Sequence, residues 1–72
     1  MLIVSQDKKK VANIETTELI DISETFSIRV FQVSDTNAFL EIASYENEPK
    51  AKSVLNQLWS AYNNGEKVFI MP

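Results

Sequence analysis

The chain has 72 residues, no cysteine and no histidine, and a formal net charge of −3 with 44% hydrophobic residues. One domain at most fits this length, and disulfides are excluded. The usual Cys or His ligands of zinc, haem and copper are missing, and the acidic balance opposes nucleic-acid binding through phosphates. The apolar runs, such as Leu2-Ile3-Val4 and Val68-Phe69-Ile70-Met71, are too short to span a bilayer. No basic and apolar leader opens the sequence, so the expected location is cytoplasmic. A domain this small buries a modest share of its surface and commonly gains support from a metal, a disulfide or self-association. Self-association is the support that remains, with a homodimer favoured.

In chain order, Leu2 to Ser5 reads as a short strand, Gln6 to Lys10 as a turn and Val11 to Ile14 as a return strand. Glu15 to Glu18 reads as a loop, and Leu19 to Ile22 as a third strand. Phe26 to Val33 and Ala38 to Tyr45 are the clearest strands, joined by a polar hairpin loop of Ser34, Asp35, Thr36 and Asn37. An odd loop pairs even positions with even ones. It places Ile28 and Val30 on one face with Leu40 and Ile42, and Arg29 opposite Glu41. An even loop would set Val30 against Glu41, so the odd register is preferred.

Asn47 is the expected cap of a helix whose first turn holds Glu48 and Pro49. Ala51, Val54, Leu55, Leu58, Ala61 and Tyr62 recur at helical spacing, and Asn64-Gly65 supplies the stop. Val68 to Met71 suits a short final strand. The expected fold is therefore one α+β domain over residues 1–72. It comprises an antiparallel sheet of four to six strands packed with one C-terminal helix and a short final strand.

Catalytic constellations are absent from the sequence: there is no histidine for a triad, and the single glycine ends the helix rather than lining a phosphate loop. The acidic series Glu15, Glu18, Asp21 and Glu24 crosses a loop and a strand, and reads as solvated surface rather than a metal site. Lys8, Lys9 and Lys10 read first as solubilising charges on a turn, and second as a contact for an anionic ligand. Phe31, Phe39 and Tyr45 point away from Ile28, Val30, Leu40 and Ile42 in the preferred register. They would form a second apolar strip beside Ala43 unless the helix covers that side instead. Either way both sheet faces carry bulky apolar groups and one helix covers one face. Trp59, at the margin of the helix stripe, fits an interface anchor or a peripheral core residue equally well.

The opening Ile3-Val4-Ser5-Gln6-Asp7-Lys8 resembles the start of short uncharacterised proteins of Gram-positive bacteria and their phages. So does the close, with Ala51-Lys52-x-Val54-Leu55, then Ala61-Tyr62-x-Asn64-Gly65-Glu66-Lys67-Val68-Phe69 and Met71-Pro72. The resemblance implies a small strand-rich domain with a late helix, often prophage-borne. It implies no activity and no functional residues. The expected function is a non-enzymatic interaction protein that self-associates and binds a host or phage protein, with no cofactor. The rival is a small-ligand binder with a pocket at an oligomer interface, for which Tyr45, Trp59, Arg29 and Lys8 to Lys10 are the residues to test.

Overall fold

Strand propensity is concentrated at the two ends and in the centre of the chain, and these regions build separate sheets. The computed structural model describes residues 1–32 and 35–72. Its elements are β1 (Leu2–Val4), β2 (Val11–Asn13), a 3-10 turn at Ile14–Thr16, β3 (Thr17–Ile22), β4 (Ser27–Gln32), β5 (Asp35–Ser44), α1 (Glu48–Asn63) and β6 (Val68–Ile70). The fold is α+β, with six strands among the described residues. They form two three-stranded sheets, ordered β2-β1-β6 and β3-β4-β5, rather than one sheet of four to six strands.

The division has a local cause. Asn13 caps the 3-10 turn by accepting from the Glu15 N–H at 3.0 Å. Its carbonyl accepts from the hydroxyls of Thr16 and Thr17 at 3.1 and 3.0 Å. The chain thus leaves the first sheet at Asn13 and enters the second at Thr17. β6 then returns after α1 to lie parallel to β1, pairing Leu2 with Val68 and Val4 with Ile70. The central strand of the first sheet is therefore the first one in the chain.

The middle of the β4–β5 ladder keeps the odd-loop register, with Arg29 opposite Glu41, Val30 opposite Leu40 and Phe31 opposite Phe39. It breaks between Ile28 and Arg29, where Ile28 pairs with Ala43, and again between Phe31 and Gln32. The first break inserts an extra residue in β5, so consecutive Ile42 and Ala43 are both buried. Of the expected hairpin loop, Asp35, Thr36 and Asn37 belong to β5, while Ser34 and the Val33 strand end lie outside the described residues.

α1 forms where its caps and stripe require it. The Asn47 side chain accepts from the Lys50 N–H at 2.9 Å, and Pro49 occupies the first turn. Gly65 takes φ +76° after the helix, a left-handed conformation open to glycine at little cost. Ala51, Val54 and Leu58 are buried, whereas Tyr62 at the stripe's end stays exposed. Val54 and Leu58 pack with Ile28, Val30 and Ile42 of the second sheet and Ile3 and Ala12 of the first. The helix and the inner faces of both sheets thus share one core, and among the described residues no further element covers either outer face.

Candidate interaction surfaces

On the outer face of the second sheet, the ladders place Leu19, Phe31 and Phe39 in one row and Asp21, Arg29 and Glu41 in the next. The rings of Phe31 and Phe39 lie 5.5 Å apart at 45°. The Arg29 guanidinium sits over both, 5.3 and 5.2 Å from their centroids. It is held there by Asp21, which accepts from Nε at 2.7 Å and from Nη2 at 2.6 Å. That bidentate bond, more than any other influence, pushes the Arg29 pKa further up. The aromatic strip anticipated from the sequence therefore carries a charged cover from its own chain. Arg29 also has two of its donors committed to Asp21, which limits what it offers an external anion.

Tyr45 and Ala43 leave this strip because of the break in β5. Ala43 is buried in the core, and Tyr45 packs against that core while its hydroxyl donates to the Pro72 carbonyl at 2.8 Å. Burial pushes the Tyr45 phenol pKa up. Tyr45 thus pins the segment after β6, assisted by Gln6, whose side-chain amide donates to the same oxygen at 3.1 Å. Trp59 lies elsewhere again. It is 65% exposed, its ring is 6.4 Å from that of Tyr62, and it walls a cleft of about 340 Å³ with Ile14, Ile20, Leu55 and Leu58. Ile20 pairs with Val30 on the inner side of the second sheet, so Trp59 and the Phe31–Phe39 pair stand on opposite sides of it.

The basic turn carries its own anion. Asp7 Oδ1 accepts from the Ser5 hydroxyl at 2.6 Å and from the Lys9 N–H at 2.9 Å, and the Lys10 N–H donates to Ser5 Oγ at 3.0 Å. The Ser5 bond is the main reason the Asp7 carboxyl is held below its ordinary range, with the Lys9 N–H next. These turn N–H groups are already engaged internally, so Lys8, Lys9 and Lys10 offer an anion their flexible ammonium groups rather than a backbone cradle. Lys8 itself takes φ 63°.

A further uncovered apolar surface, which the residue pattern does not mark, lies on the first sheet. On the outer face of the first sheet, Leu2 stands between Asn13 and Val68, and Val4 between Val11 and Ile70. Val11, Val68 and Ile70 are 59%, 49% and 56% exposed, and no charged residue interrupts either row. The clue was alternation: Leu2 and Val4 flank buried Ile3, and Val68 and Ile70 flank half-buried Phe69. In three-residue strands, that alternation cannot be told from a continuous apolar run.

No family model, no curated protein and no solved structure matches the chain.

Proposed function

We propose that this chain is a non-enzymatic interaction protein that self-associates through its first sheet. The observation that carries this reading is the uncharged outer face of Leu2, Val4, Val11, Val68 and Ile70. Single exposed apolar residues are ordinary, but a contiguous set on one sheet face marks a surface that meets another molecule. A second copy is the occupant that fits best. Apolar rows free of charge meet their own image without like-charge repulsion, and a two-fold contact closes on itself. The outer face of the second sheet is less suited, because Asp21, Arg29 and Glu41 cross it and Arg29 already covers the rings.

The role of such an assembly as a phage-borne accessory factor acting on a host protein rests on the likeness of the chain's two ends to short phage and Gram-positive proteins. The alternative, a small-ligand binder, is favoured by the apolar cleft beside Trp59. Sedimentation velocity across a wide concentration range tests the main reading. A reversible shift from monomer to dimer is expected, and Ile70→Asp should abolish it. A monomer at every concentration would overturn self-association. A reproducible small-molecule mass carried by the native protein, lost on Trp59→Ala, would favour the alternative.

A further inference from the structure

We infer that two copies join through the free edge of β6, pairing antiparallel about a two-fold axis at Phe69. This inference rests on the self-association reading but places the contact at the strand edge, where the apolar rows of two copies adjoin side by side, rather than in a stacking of the two outer faces. Leu2 N–H donates to the Lys67 carbonyl at 2.9 Å and Met71 N–H donates to the Val4 carbonyl at 3.0 Å. With Leu2 opposite Val68, the polar groups of residues 67, 69 and 71 face β1. The N–H and C=O of Val68 and Ile70 consequently point away from β1, along an edge that no strand among the described residues occupies.

The opposite edge of the same sheet is managed differently. On β2, the outward carbonyl of Asn13 is taken by two threonine hydroxyls, and the Lys8 to Lys10 turn precedes the strand. Charged neighbours and internal bonds of this kind blunt an edge against pairing. Among the described residues no hydrogen bond is made to the outward groups of Val68 or Ile70. β6 is thus the less guarded edge: the outward main-chain groups of Val11 on β2 likewise have no bond among the described residues, but that residue lies between the lysine turn and the engaged Asn13 carbonyl. The exposed side chains of β6 are both β-branched.

A second β6 matches it. In an antiparallel pair centred on Phe69, Val68 lies opposite Ile70 of the partner and Ile70 opposite Val68, so each pair exchanges both main-chain hydrogen bonds. The apolar side chains of the two copies then adjoin on the same face as Leu2 and Val4. The result is one continuous six-stranded sheet, β2-β1-β6-β6-β1-β2, with the lysine turns next to its two outer strands.

Two measurements on the full chain test this. In amide exchange followed by NMR, Val68 and Ile70 should slow at least ~10-fold from dilute to dimeric samples, since newly formed ladder bonds must open for exchange. A nitroxide on Val11→Cys, in a chain with no native cysteine, reports the distance between copies. Edge pairing separates the two β2 strands by five strand spacings, ~24 Å, whereas face-to-face stacking brings the sheets within ~10 Å. A dimer with close labels and unprotected Val68 and Ile70 amides would overturn edge pairing while leaving self-association standing. A chain that stays monomeric would remove both. Addition of an extended peptide rather than a second copy would show as protection of the same amides by the peptide in monomeric protein, and would also overturn the pairing of copies.

Discussion

Asp7 shows how one side chain organises the turn that carries the lysines. Its carboxylate accepts from Ser5 and from the Lys9 N–H, and those bonds keep its folded pKa below the ordinary 3.8. A depressed carboxyl pKa adds stability above pH 3.8 that is lost as pH falls through the lower folded value. Urea unfolding at a series of pH values should therefore show a decline at the acid end that Asp7→Asn flattens, since the amide keeps an acceptor without a charge. Arg29 is bound just as specifically, to Asp21 and to two rings. A double-mutant cycle with Asp21→Asn and Arg29→Met should give a favourable coupling that rising salt weakens. Additive effects at low salt would show that the pair is geometrically close but energetically independent.

Among the elements, α1 was the most legible and is the one on which the core depends. Its cap, its first-turn proline, its stripe and its terminal glycine are local signals, and the helix runs from Glu48 to Asn63 as they indicate. Asn47→Ala should cost ~1 kcal/mol through loss of the Lys50 N–H bond, measured by chemical unfolding, with Asn47→Asp close to neutral. Leu58 is 2% exposed within the cluster that joins both sheets to the helix. Leu58→Ala should cost ~2–5 kcal/mol, a large share of the stability available to a domain this small. The hairpin of β4 and β5 was legible in its central register and not at its ends. Even-to-even pairing followed from keeping Glu41 off the apolar face, but nothing in the residue pattern marked the extra residue at Ile42. That insertion is what moved Ala43 inward and carried Tyr45 away from Phe31 and Phe39.

In the molecule as a whole, one helix and both sheets contribute to a single core, while apolar side chains on both outer faces stay exposed. If copies associate through the first sheet, folding and association are linked, and the melting temperature should rise with protein concentration. Ile70→Asp should remove that dependence, because the charge would stand within the apolar rows and beside the free edge of β6. A melting temperature that is independent of concentration in the native chain would count against self-association. Of the residues anticipated as an interface, Phe31 and Phe39 do lie side by side. Tyr45 and Trp59 lie elsewhere, and the uncharged apolar face of the first sheet is built from strands whose partnership spans the length of the chain.

The sequence by itself determined the helix with its caps, the lysine turn between the first two strands and the even-to-even centre of the β4–β5 pairing. Those features depend on contacts among residues close in the chain. The tertiary structure decided that the strands divide between two sheets, that β6 lies parallel to β1, and that Leu2, Val4, Val11, Val68 and Ile70 share a surface. Pairing between Leu2 and Val68 brings together residues from opposite ends of the chain. A three-residue strand has too few alternations to declare which side it buries, so only its neighbours in space settle the matter.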